Sequence, residues 1–171
     1  ALLAALLCVL ANGFFVAAEF ALAKVRPTAL DALARRGNAA AGRAHAITQR
    51  LDEYLSATQL GITLASLALG WVGESAMEDL LTPAIVWLGA APTSAHNLAL
   101  AAGFAILSAL HIVVGELVPK SLAILAPEVI SMRSAAILRA FFVVSYPALW
   151  LLNGTSSLVL RALRLPAPQH A

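Results

Sequence analysis

The fold is decided by the stretch LALAAGFAILSALHIVVGELVPK, residues 98–120. A helix of about 20 apolar residues, rising about 1.5 Å per residue, crosses the hydrocarbon core of a bilayer. Residues 98–117 meet that length and are apolar at all but three positions. Pro119 has no backbone N–H and therefore interrupts the helical hydrogen bonds at the end of the run. The stretch predicts a membrane-spanning helix over residues 98–119.

The rest of the composition is also that of an α-helical membrane protein. Hydrophobic residues make up 61% of the 171 residues, charged residues make up 12%, and the mean hydropathy is +0.86, which lies outside the range of soluble domains. Neither residues 1–23 nor residues 51–119 contain Lys or Arg. This segregation predicts two further spans, at about residues 1–24 and 55–73. Because the basic residues flank apolar runs, the net charge of +2 does not indicate nucleic-acid binding.

The connections between these spans are predicted from their charges and from their turn residues. Residues 28–54 mix charged residues with Ala and Leu and are divided by Gly37 and Asn38, which predicts two short amphipathic helices on a membrane face. After residue 73 we expect an aqueous loop, because three carboxylates follow within six residues. An interfacial or re-entrant turn then follows, bounded by two prolines. These residues are Glu74, Glu78, Asp79, Pro83 and Pro92.

The distribution of cations predicts the orientation of the chain. Lys and Arg are frequent between the first two predicted spans, and residues 74–97 contain none. The first connection is therefore expected in the cytoplasm and the N-terminus outside. The last apolar run has two interpretations, of which we favour an amphipathic juxtamembrane helix at about 134–163, because Pro147 bends it. The alternative is a fourth span, which would export Arg161 and Arg164.

A carboxylate within an apolar span costs about 2.5 kcal/mol or more and is a functional candidate by default. Glu116 is such a residue. Pro119 deprives the carbonyl of Gly115 of its helical donor, four residues later, so the carbonyl is free to turn toward a ligand. Carboxylate and carbonyl oxygens are the ligands that Mg²⁺ and Ca²⁺ require. The alternative is that Glu116 pairs with Lys120 and anchors the end of the span.

Polar side chains in the first two spans are further candidates. Asn12 and Glu19 are seven residues apart and lie on one helical face, and Thr63 and Ser66 belong to a stripe of oxygen-bearing and small residues in the second span. These four are candidate metal ligands. The alternatives are helix packing for Asn12, Thr63 and Ser66 and an interfacial position for Glu19. His111 is interpreted as a packing residue.

Two other classes of site are excluded by the sequence. Cys8 is the only cysteine, so the chain forms neither an internal disulfide nor a zinc site made of cysteines. An intramembrane serine protease using Ser66 or Ser108 with His111 would need a nucleophile context that the sequence lacks, and it would leave Glu116 and Pro119 unexplained. We therefore expect no enzymatic activity.

Three motifs together resemble the CNNM/CorC family of magnesium transporters. The segments are NGFFVAAEFA at residues 12–21, QLGITL at residues 59–64 and GELVPK at residues 115–120. The resemblance implies a dimeric domain with three spans, a pair of cytoplasmic helices and a belt-like juxtamembrane helix, in the bacterial inner membrane. It also implies that cytosolic CBS and C-terminal domains follow residue 171, and ATP would bind only through them.

The implied activity is Mg²⁺ export, coupled to Na⁺ entry. Glu116 matches the acidic cation ligand of the family motif. Relatives often carry serines within the segment that follows Asn12 here, and Ser or Asn at the positions of Thr63 and Ser66. The alternative function is a membrane Mg²⁺ sensor or scaffold that moves no ion.

Overall fold

A computed structural model describes residues 1–162 of the chain and contains seven α-helices and one π-helical segment. Within those residues there is no β-strand, so the all-α prediction is confirmed. The elements are α1 (Leu2–Lys24), α2 (Pro27–Arg35), α3 (Ala39–Thr48), α4 (Leu51–Trp87), α5 (Pro92–Leu110), the π segment (His111–Leu117), α6 (Val118–Leu125) and α7 (Pro127–Ala162).

The short helices α2 and α3 form the predicted pair. Pro27 begins α2 and holds Arg26 in an extended conformation (φ −84°, ψ 118°), as expected for a residue before proline. Gly37 makes the turn with φ 90°, and the Asn38 side chain accepts hydrogen bonds from the first backbone N–H groups of α3. Residues 51–54, which the prediction placed in this pair, begin α4 instead.

Helix α4 extends well beyond the predicted span of residues 55–73. It continues through Glu74 and Pro83 to Trp87, so the expected aqueous loop and interfacial turn are helical. Pro83 is exposed, and there water can satisfy the carbonyl of Asp79, which has lost its helical donor. The true turn comes at Gly89, with φ 94°.

Among residues 1–162, four helical stretches are long and apolar enough to cross a membrane, and the fourth is Pro127–Leu158 of α7. The predicted juxtamembrane helix at 134–163 thus begins earlier, at Pro127, while its last residue and Arg164 lie outside the described residues. Helix α7 packs against the C-terminal half of α1 and the N-terminal end of α4, with Phe141 on Phe15 and Phe142 stacked on Tyr54. Both the count of three spans and the in-plane position of α7 stay predictions.

The buried apolar residues form two separate clusters. The first joins α1, α2, α3, α4 and α7 around Leu22, Leu30 and Leu138. The second joins α1 and α4 around Val9 and Leu69. Asn12 lies on α1 between the two clusters and is 2% exposed, so a polar layer separates them.

Candidate functional site

The polar layer connects three elements through the side chain of Asn12. Its Nδ2 donates to the carbonyl oxygen of Gly115 in the π segment at 2.9 Å. Its Oδ1 accepts a hydrogen bond from Ser66 Oγ of α4 at 3.1 Å. Both bonds cross between helices, so three of the residues predicted as ligands lie within one hydrogen-bonded group, which we call the Asn12 layer.

The π segment explains why the Gly115 carbonyl is available to this layer. Pro119 removes the N–H that would bond to it in an α-helix, and the helix widens locally over His111–Leu117. Single π turns of this kind occur frequently at functional sites. The sequence predicted the free carbonyl but not the π geometry.

Two glycines allow the helices to approach this closely. A Cβ on Gly13 would lie 3.0 Å from Pro119 Cγ and 3.2 Å from the carbonyl oxygen of Val114. A Cβ on Gly115 would lie 2.8 Å from His111 Cδ2 and 3.3 Å from Asn12 Nδ2. Small residues at such crossings let helix backbones come together in membranes, and here they bring the Gly115 carbonyl within reach of α1.

Glu116 lies next to this layer in the chain but is exposed on the surface of the π segment. None of the ion pairs among residues 1–162 involves it. Its expected partner in the anchoring alternative, Lys120, instead places Nζ 4.5 Å from the centre of the Phe20 ring. The structure therefore favours neither that alternative nor a direct contact of the carboxylate with Asn12.

The other two predicted ligands are also outside the hydrogen-bonded group. Thr63 is exposed and its hydroxyl donates to the carbonyl of Gln59 in its own helix at 2.9 Å. Glu19 is half-buried on α1, about 10.5 Å along the helix axis from Asn12 by the rise of seven residues. The structure thus brings Asn12, Ser66 and Gly115 together. The candidates outside this hydrogen-bonded group are Thr63, Glu19 and Glu116.

Besides the π geometry, one feature of the site was missed from the sequence. Nε2 of His111 is buried without a hydrogen-bond partner among the described residues, although its ring had been assigned to simple packing. Among residues 1–162, no three His, Cys, Asp or Glu side chains lie close enough to one another to hold a metal ion. A cation at the Asn12 layer would depend on neutral oxygens and on Glu116.

Comparison with known proteins gives matches over nearly the whole chain. The family model CNNM, described as the cyclin M transmembrane N-terminal domain, matches residues 3–171. The UPF0053 protein YhdP of Bacillus subtilis is 44% identical over 154 residues, which are 90% of this chain and 35% of that protein. The UPF0053 protein YrkA of the same organism is 41% identical over 165 residues, or 96% of this chain and 38% of YrkA.

A mycobacterial protein gives a similar result. The uncharacterized protein Rv1841c of Mycobacterium tuberculosis is 38% identical over 161 residues, covering 94% of this chain and 46% of its own length. The chain thus spans less than half the length of these curated relatives.

Proposed function

This chain belongs to the CNNM family, which is associated with membrane metal-ion transport, and from that premise we propose that it carries Mg²⁺ across a membrane. The resemblance drawn from the three motifs is thereby confirmed at the level of the family. The observation that carries the proposal is the Asn12 layer, where three oxygen-bearing groups from three elements meet between two apolar clusters. Oxygen ligands of this kind suit Mg²⁺.

The hydrogen bond from Asn12 to Gly115 indicates how an ion would enter the layer. The amide N–H group carries partial positive charge and occupies the side of the Gly115 carbonyl that a cation would take. If the Asn12 carboxamide turns over, its Oδ1 replaces the N–H group, and the amide oxygen and the Gly115 carbonyl then present two oxygens to an ion. Asn12 Nδ2 then faces Ser66 Oγ, which can accept a hydrogen bond from it. In the absence of the ion, the Asn12 N–H group therefore occupies the ion's position beside the Gly115 carbonyl. With the ion bound, Asn12 Oδ1 is one of its ligands.

Glu116 supplies the negative charge of the proposed site. A divalent ion in a bundle of low dielectric constant needs at least one carboxylate as well as neutral oxygens. Glu116 follows Gly115 directly and makes no ion pair among the described residues. Binding of Mg²⁺ would therefore break no ion pair of Glu116 among those residues. Thr63 is a further proposed ligand, and Glu19, about 10.5 Å from Asn12 along α1, is proposed as a second position on the same polar path. A single close carboxylate leaves the site net positive, which keeps binding weak and lets the ion leave.

The direction of transport, the coupling ion and the assembly are proposed from the family resemblance. We propose Mg²⁺ export from the cytoplasm, driven by Na⁺ entry, in a homodimer held in a bacterial inner membrane. The alternative function is that of an Mg²⁺ sensor or scaffold, which would bind the ion with the same ligands but would not move it across the membrane.

Flux measurement separates the two functions. The full-length protein is reconstituted in liposomes that contain an Mg²⁺ indicator, and Mg²⁺ is added outside. A transporter produces an indicator signal that exceeds that of protein-free liposomes. Mg²⁺-dependent thermal stabilisation without any such signal would support the sensor and contradict transport.

A further inference from the structure

A cavity of about 540 Å³ lies between α4 and α5. The two helices run antiparallel along it, since Met77 of α4 opposes Gly103 of α5, and Gly73 of α4 opposes Leu107 of α5. Gly73 and Gly103 let the two helices pack closely at these contacts, whereas Gly70 faces open space. A volume of this size holds more than ten water molecules, at about 30 Å³ each.

The inner end of the cavity reaches the Asn12 layer. Ser66 lines the cavity and also donates to Asn12 Oδ1. His111 lines it as well, and its ring would contact a Cβ on Gly115. Two residues therefore belong both to the cavity wall and to the surroundings of the proposed ion.

The other wall groups make the cavity suitable for a hydrated cation. Glu74, which is exposed, lines it eight residues after Ser66, about 12 Å further along α4. The hydroxyl of Ser108 lies between these two levels on the opposite wall. A carboxylate near one end and two hydroxyl groups further in attract a cation and hydrogen-bond its water shell. The rest of the wall is apolar and includes Leu69, Met77, Leu100, Phe104 and Leu107.

We propose that this α4–α5 cavity is the water-filled passage between the outer membrane face and the Asn12 layer, with Glu74 as the group that attracts the cation at its outer end. The proposal rests on the proposed function and on the predicted orientation, in which residues 74–97 face outside. It adds to the site a route to the outer face and a carboxylate at its outer opening, where exported Mg²⁺ would leave. An acyl chain or a partner subunit in the same space would exclude water from it.

Cysteine accessibility tests the passage. In a Cys8→Ser background, Ser108→Cys changes only oxygen to sulfur on the cavity wall, and Ala109→Cys places a thiol one residue further on, at an exposed position outside the lining. A membrane-impermeant cationic methanethiosulfonate is added to right-side-out and to inverted vesicles containing the full-length protein. Because thiols react as thiolates, which need water, Ser108→Cys should react at least about tenfold faster than Ala109→Cys from the outer side.

The modified thiol should also obstruct the route. Mg²⁺ flux should fall on modification of Ser108→Cys and stay unchanged on modification of Ala109→Cys, and Glu74→Gln should lower flux at low external ionic strength. Equal labelling of the two variants, or labelling of Ser108→Cys only in inverted vesicles, overturns the passage alone if Mg²⁺ flux persists. Absence of flux in the unsubstituted protein overturns the proposed function and with it the passage.

Discussion

Replacing Glu116 by Gln separates the charge of this residue from its shape. The side chain is exposed and forms no ion pair among the described residues, so its loss breaks no contact that stabilises the fold. Such surface substitutions change the free energy of unfolding by about 0.5 kcal/mol or less. For a chain of this size the unfolding temperature without Mg²⁺ should then shift by about 2 °C or less.

The response to Mg²⁺ should differ strongly between the two proteins. At an Mg²⁺ concentration ten times Kd, ligand binding adds about 1.4 kcal/mol to the stability of the native state, which corresponds to a rise of about 3 to 6 °C. Glu116→Gln retains only neutral oxygens at the layer, so this rise should disappear. Mg²⁺ flux into indicator-loaded liposomes should disappear with it, whereas Glu19→Gln should weaken both only in part.

A matched control is Asp79→Asn. Asp79 is likewise exposed and in no ion pair among residues 1–162, but it lies on α4 away from the layer. This variant should keep both the flux and the Mg²⁺-dependent stabilisation. Transport by Glu116→Gln at the unsubstituted rate would mean that Glu116 only anchors the end of the span, and the site assignment would be wrong.

Three further predictions concern packing, orientation and assembly. Gly13→Ala places a methyl group 3.0 Å from the Pro119 ring and should lower the free energy of unfolding by about 1 to 3 kcal/mol, measured by thermal unfolding. The control is Gly154→Ala, where a Cβ meets open space. Equal effects of the two substitutions would refute the close approach at Gly13. In a Cys8→Ser background, Arg36→Cys and Ala91→Cys, both exposed, should label from opposite membrane sides, and labelling from one side would refute the orientation. Chemical crosslinking in the membrane should trap a dimer, whereas a monodisperse monomer that retains flux would contradict the proposed assembly.

Much of the fold was predictable because membrane insertion depends on strong, local signals. The absence of Lys and Arg over residues 1–23 and the single break at Pro27 locate α1 within one or two residues. The loop expected after residue 73 was wrong because carboxylates and a proline at exposed helical positions are compatible with helix, as α4 shows at Asp79 and Pro83. Charged residues after an apolar run therefore do not by themselves mark the end of a helix.

The candidate site was predictable in its residues but not in its contacts. Pro119 alone identifies the Gly115 carbonyl as one that lacks its helical donor, because proline has no backbone N–H in any conformation. Whether Asn12, Ser66 and Glu116 meet there depends on the rotation of three helices, and a π turn of seven residues changes that rotation. Hence the structure groups Asn12 with Ser66 and leaves Glu116 outside.

The division of the buried residues into two clusters has a mechanical consequence. Helices α1 and α4 each contribute to both clusters, and between the clusters the two hydrogen bonds of Asn12 connect α1 to α4 and to the π segment. Because α1 and α4 are each continuous through both clusters, the π segment is the element that can shift at this level. Such a shift away from α1 would break the bond between Asn12 and Gly115, at about 0.5 to 1.5 kcal/mol, so the binding of an ion at the Asn12 layer and the position of the π segment are expected to influence each other.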